Sequence, residues 1–292
     1  FSFYHFIILN NILKFSHMLI NEKNKSLTAL FISALFFGST FLIVKNLLGT
    51  FSPTFIVFLR YIIAAFLFAL IGGVPKKMAW KPGILMGVFL WLGYVTQTQG
   101  LVTTSTINSG VVTGFYIVLT PFLSKLFNKT DLKTKNYVYS FLGFMGIVLI
   151  SINDISQVFG NLFTLICAAA YAMHIVLVER YVKNQNISQL MFIQSLTGGI
   201  LCLPLISLSE FQFFPDYLFP IIFLGLVVNV GAFYLQLYGQ KLIKASTSAL
   251  ILSLEAIFAL LIGILVANEF LNLLNWFGVI LVLISIYLVI RE

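Results

Sequence analysis

Two ionisable residues stand inside apolar runs of this sequence. Glu255 lies near the middle of Ala249-Leu-Ile-Leu-Ser-Leu-Glu-Ala-Ile-Phe, and Arg60 lies within the run that opens near residue 54. A charge at membrane depth costs about 2.5–3.5 kcal/mol even on insertion scales, so such residues carry a functional expectation. Glu255 reads as a proton-coupling group or a contact for a cationic part of a substrate; the alternative is a carboxyl group bonded to neighbouring backbone. Arg60 either snorkels outward as a structural residue or lines a cavity and attracts anions.

The stretch Tyr94-Val-Thr-Gln-Thr-Gln-Gly100 is unusually polar for an apolar surrounding. Gln97 and Thr98 lie three and four residues beyond Tyr94 and share its helix face. Unsatisfied polar groups are costly against lipid, so this face points inward, either to a wet cavity or to hydrogen bonds between helices. Asn108, Tyr116, His174, Gln194, Asn229, Tyr234 and Gln236 are further candidates for the cavity, although a lone His is more often a satisfied bundle residue.

Other chemistries lack their residues. There is no Gly-x-x-x-x-Gly-Lys-Ser/Thr loop, no His-Glu-x-x-His and no Gly-x-Ser-x-Gly elbow. Cys167 and Cys202 sit in apolar segments as small hydrophobes. No catalytic residue, cofactor or metal is assigned.

The elements that must position these groups are membrane helices. Of 292 residues, 60% are hydrophobic and 9% charged, with 31 Phe and a mean hydropathy of +1.03. Soluble domains carry roughly 25% charged residues. The net charge of +8 does not indicate nucleic acid, because the bases sit in short loops and form no basic footprint.

Gly, Pro, Asn and charge divide the chain into ten spans, near 27–48, 54–73, 82–102, 106–127, 136–152, 159–180, 188–208, 217–240, 245–267 and 272–290. With both termini cytoplasmic, every Lys and Arg except Arg60 and Lys45 falls in an inside segment, including Lys14, Lys133 and Arg291. The outside loops carry Asp154, Glu210, Asp216 and Glu269. The first Met is Met18, and residues 1–17 are read as a tail outside the fold.

Leu101-Val-Thr-Thr-Ser-Thr106 echoes Leu242-Ile-Lys-Ala-Ser-Thr247, and Gln99 and Gln240 fall in the same register. Five spans separate the copies, and five is odd. The expected architecture is therefore an all-α polytopic membrane protein of two inverted five-helix repeats, residues 27–152 and 153–292, after a tail over 1–26. Such repeats place a substrate site near the midplane. Gly83/Gly87 and Gly110/Gly114 read as packing pairs. Pro121 and Pro204 read as kinks inside the fourth and seventh spans.

From about 27 to 290 the chain resembles the EamA family of the drug/metabolite transporter superfamily. The resemblance rests on Phe37-Gly-Ser-Thr-Phe41 with Lys45, on Arg60, and on Tyr94–Leu101 and Thr104–Pro121. It continues with Ala170-Tyr-Ala172, Ala245-Ser-Thr, Leu254-Glu255 and Asn268-Glu269. Ala256 stands where the family usually has Pro, which puts a kink in the ninth span in question. The resemblance implies a secondary carrier of small organic metabolites, amino-acid-like or related, in a bacterial inner membrane. It implies alternating access, often efflux and frequently proton-linked. Partners are then the solute, the bilayer and protons. The rival readings are a non-transporting partner or receptor and, more remotely, an intramembrane lipid enzyme.

Overall fold

The computed structural model describes residues 2–129, 134–151, 155–211 and 215–290. Asp154, Lys133, Arg291, the side chain of Lys14 and the expected repeat boundary at 152/153 lie outside the described residues. The described chain is helical, with no strand. Eight of its helices are long and apolar enough to cross a membrane. Their outward side chains, among them Phe66, Leu70, Phe159 and Leu162, are exposed, whereas Gln97, Gln194, Asn229, Gln236 and Gln240 are buried. Apolar outside and polar inside is the arrangement that lipid as solvent demands. The chain is a multi-pass membrane protein.

Helix α1 runs unbroken from Ser2 to Leu47. No Gly or Pro precedes Gly38, so nothing ends the helix near 27, where the tail was expected to give way to a span. Helix α2 (Pro53–Gly72) starts with Pro at its first position and Ser52 as N-cap. Then come α3 (Lys77–Leu101), α4 (Thr106–Gly114), α5 (Tyr116–Asn128), α6 (Lys135–Ser151), α7 (Ile155–Tyr181) and α8 (Ile187–Cys202). Pro204 lies beyond α8 in a 3₁₀ turn, Leu203–Leu205. It ends the helix and does not kink it, because its ring excludes continuation. A short α9 (Leu218–Ile222) leads into a π-helix, Phe223–Ala232, and then α10 (Phe233–Gln240). Last are α11 (Ala245–Leu252), α12 (Leu254–Leu265) and α13 (Leu273–Ile290).

Two expected spans are each broken in two. The α4/α5 break falls at Phe115, where the backbone tightens to a three-residue step from Val118 N to Phe115 O of 2.9 Å. The α11/α12 break falls at Ser253, although no proline follows Glu255. There the Ser253 hydroxyl donates to the Leu250 carbonyl at 2.8 Å, and Ala256 N bonds Ser253 O at 3.0 Å. A serine bonding back to its own helix supplies the bend that proline would otherwise force.

The helices around the breaks recur in a register that differs from the sequence echo, with the breaks themselves one residue apart in it. One constant offset carries the N-cap Ser105 onto the N-cap Lys244 and the helix start Thr106 onto the helix start Ala245. The same offset carries the left-handed Lys129 onto the left-handed Asn268. Thr106 therefore corresponds to Ala245, whereas the sequence echo matched it to Thr247, two positions further on.

In the packed bundle α3 lies on α7 and α8, α2 on α8, α1 on α10 and α12, α4 on α12, and α6 on α13. The glycine pair of α3 seats it on α8. A Cβ at Gly83 would meet Ile193 at 2.7 Å, and one at Gly87 would meet the Gln194 carbonyl at 2.9 Å.

Candidate functional site

The broken helices and their neighbours line a small central cavity. Its walls are aromatic: Phe37 and Phe41 from α1, Tyr94 from α3, Tyr116 from α5, Tyr171 from α7 and Phe233 from α10. Thr40, Gln97, His174 and Gln236 add neutral polar groups, with Ile175 and Leu252 between them. Arg60 and Glu255 bring the two charges.

Arg60 is 1% exposed. Its Nε donates to Asn229 Oδ1 at 3.1 Å and its Nη2 to the Tyr94 hydroxyl at 2.6 Å. That hydroxyl donates in turn to Asn229 Oδ1 at 2.9 Å. The guanidinium carbon also lies 3.9 Å from the Tyr94 ring centroid, a cation–π contact. Nη1 has no hydrogen-bond partner. The ion pair among the described residues is Lys25–Glu22, so no carboxylate answers Arg60.

Glu255 stands in the first turn of α12, just past the Ser253 break. A helix N-terminus favours a carboxylate there. Glu255 is 4% exposed and faces Tyr116, the first residue of α5. Neither its Oε1 nor the Tyr116 hydroxyl has hydrogen-bond geometry to a partner. Each break thus places one polar side chain with a buried, unpartnered oxygen on the cavity wall.

The remaining polar groups are anchored from behind. His174 Nε2 meets Gln194 Oε1 at 2.8 Å, and Gln97 donates to Thr113 Oγ1 at 3.2 Å. Gln236 donates to Gln240 at 3.1 Å, and Gln240 donates to the Ile175 carbonyl at 3.0 Å.

Of the residues singled out in the sequence, Arg60, Tyr94, Gln97, Tyr116, His174, Gln236 and Glu255 come together around this cavity. Asn229 and Gln194 stand one layer behind, bonded to Arg60 and His174. Thr98 is buried between helices. Asn108 sits at the start of α4 and donates to Gln157 at 2.8 Å. Tyr234 is 38% exposed and stacks on the buried Phe68. Two residues before Gln236, it takes the opposite side of α10.

The wall residues that sequence reasoning missed had a signal in the recurrence. One constant spacing takes Phe37 to Tyr171, Thr40 to His174 and Phe41 to Ile175. The spacing that relates Thr106 to Ala245 takes Tyr94 to Phe233, Gln97 to Gln236 and Tyr116 to Glu255. Every wall residue but Arg60 and Leu252 belongs to such a pair.

The sequence profile of the EamA-like transporter family matches residues 24–152 and again 158–291. The chain belongs to the EamA-like transporter family. An uncharacterized transporter of Archaeoglobus fulgidus is 31% identical over 260 residues, spanning 88% of this chain and 82% of its own. A second from the same organism is 25% identical, covering 92% and 99%. The uncharacterized transporter YyaM of Bacillus subtilis is 26% identical over 52% of this chain and 54% of its own. A solved crystal structure covers 91% of this chain and 98% of its own at a TM-score of 0.66 and 17% identity, a likeness of fold alone. This EamA-like protein is a membrane transporter. Among the described residues no three His, Cys, Asp or Glu side chains gather as a metal would require.

Proposed function

We propose that this EamA-like protein is a secondary carrier that moves a small organic, amino-acid-like metabolite across a bacterial inner membrane by alternating access. The observation that carries this reading is the central cavity with Arg60 and Glu255 on its walls, each with a buried polar atom that has no hydrogen-bond partner. Ten spans in two inverted five-helix repeats, with both termini cytoplasmic, complete the proposal.

Three features support the repeats. The paired wall residues keep constant spacings. The broken helices α4/α5 and α11/α12 recur, and such discontinuous helices frame the midplane sites of carriers. The helix contacts also map onto themselves when the halves are exchanged. Thus α3 on α7 answers to α10 on α1, α3 on α8 to the π-helix on α2, and α4 on α12 to α11 on α5, while α2 on α8 and α6 on α13 answer to themselves. Glu255, on the cavity wall and without a cationic partner, is the group suited to carry a proton. A side-chain-filled centre would favour a non-transporting receptor; a cavity with open charges favours a carrier.

The test is counterflow in protein-only liposomes with pooled, isotope-labelled amino acids, nucleosides and related metabolites, read by mass spectrometry. Accumulation of one compound class establishes the carrier. In Glu255→Gln, exchange is expected to persist while pH-driven uptake is lost. Folded protein that accumulates nothing overturns the reading.

A further inference from the structure

We infer that the cavity holds a built site for the carboxylate of the cargo at the end-on fork of Arg60, with Asn229 as the residue that orients it. A guanidinium has five N–H donors in a rigid planar array. The two on its side edge, at Nε and Nη2, are taken by Asn229 Oδ1 and the Tyr94 hydroxyl. Tyr94 also donates to the same Oδ1, so Asn229, Tyr94 and Arg60 close a ring that fixes the plane of the guanidinium. The Tyr94 ring beneath it removes the last rotation.

What remains is the end edge, one hydrogen each of Nη1 and Nη2, together with the Nη1 hydrogen that points back along the side chain. Nη1 has no partner although the residue is 1% exposed and lines the cavity. Buried cations are paired, and this one has no carboxylate of its own chain within reach among the described residues. An edge with two parallel N–H groups matches a carboxylate bidentately. The cargo supplies the missing counter-charge.

Asn229 reaches Arg60 from the π-helix Phe223–Ala232. The π-helix is rare and is found frequently at functional sites; here a ten-residue stretch of it brings an amide to the rear of the guanidinium. An amide is the side chain this position needs. Its oxygen accepts two hydrogen bonds without carrying charge, so it orients Arg60 without neutralising it. An aspartate would do both.

This inference rests on the carrier reading for its biological meaning, but binding tests it separately. The purified full chain in detergent is titrated with a panel of small aromatic and aliphatic acids, each beside its primary amide, with phenylacetate and phenylacetamide first. Calorimetry and the thermal midpoint report binding. At least one acid is expected to bind on the order of 100-fold more tightly than its amide, the scale lost when one partner of a buried charge pair is removed. Arg60→Gln is expected to erase that preference. Asn229→Asp is expected to weaken the acid and leave the amide unchanged, with the thermal midpoint preserved or raised, because the new carboxylate answers Arg60 internally. A merely structural Asn229 would shift the midpoint and leave the acid-to-amide ratio alone. Equal binding of acids and amides, no binding of any acid, or a ratio untouched in either variant overturns the inference. Binding that follows these expectations while liposomes show no flux would leave the anion site standing and remove the carrier reading. Flux of solutes without an acid group, with no acid preferred, would do the reverse.

Discussion

Two acid–base couples of the molecule are treated in opposite ways. At the α3–α4 turn, Lys45 Nζ donates to the carbonyls of Leu101 at 2.6 Å and Thr104 at 2.8 Å. Glu269 accepts from the backbone amides of Thr106 at 2.7 Å and Ile107 at 2.9 Å. The base closes the carboxyl end of α3 and the acid closes the amino end of α4, each at the pole of the helix dipole that favours it. In the cavity, Arg60 and Glu255 each keep an atom unanswered. Charges that complete backbone ends hold the fold, whereas charges left open in a cavity are available to something that comes and goes.

That contrast can be broken experimentally, starting where the expected effect is greatest. Glu255→Gln should abolish pH-driven accumulation in liposomes while leaving the thermal midpoint unchanged or higher, since a buried charge without a cationic partner is removed. A midpoint that falls as far as that of a Glu269 variant would erase the distinction. Glu269→Ala should lower stability by about 2 kcal/mol, because it strands two backbone donors; denaturant unfolding in detergent measures this. Lys45→Met should cost less, about 1 kcal/mol, since helix-end carbonyls find other donors more readily. Equal losses at Lys45 and Glu269 would mean that the two ends of the turn are fixed by something other than these side chains.

The smallest effect is expected at Glu210, which ties the loop after α8 to the start of α2 through Ser52 N at 3.0 Å. Partial burial pulls the pKa of this carboxyl up, but hydrogen bonds from Ser52 and the Ser207 backbone outweigh it and hold the group below its ordinary value of 4.5. A depressed native pKa contributes stability that is present above the unfolded value and lost as pH falls through the native one. The thermal midpoint should therefore drop below pH 4.5 more steeply in the unmodified protein than in Glu210→Gln. Parallel profiles would show that the link carries no weight.

Much of this organisation was legible in the sequence because lipid sets simple terms. Apolar runs bounded by Gly, Pro and charge mark helices, and a Gln or Arg within one must turn inward, as Gln97 and Arg60 do. Residue type did not say how far inward. Asn229 and Gln194 stop one layer short of the cavity, and Tyr234 turns away from it, since a tyrosine is content at a lipid boundary. The α11/α12 break escaped because a serine's local hydrogen bond does there what a proline was expected to do. The sequence echo lies two positions out of register for a related reason. Loop residues such as Ser-Thr are chosen by local turn needs, whereas Gln97 with Gln236, or Tyr116 with Glu255, are held to the spacing by the shared wall they build.

The cavity wall is a set of matched pairs, and its two charges are where the match fails. Glu255 is paired with Tyr116. Arg60, by the spacing that pairs Phe37 with Tyr171, answers to Gln194, which serves His174 from behind. Other pairs differ in kind, Thr40 from His174 and Phe41 from Ile175, but only these two positions set a charge against a neutral group. With them the chamber has a head and a foot. A cargo that carries its own head and foot enters in one orientation and shows the same end to the same half at every crossing.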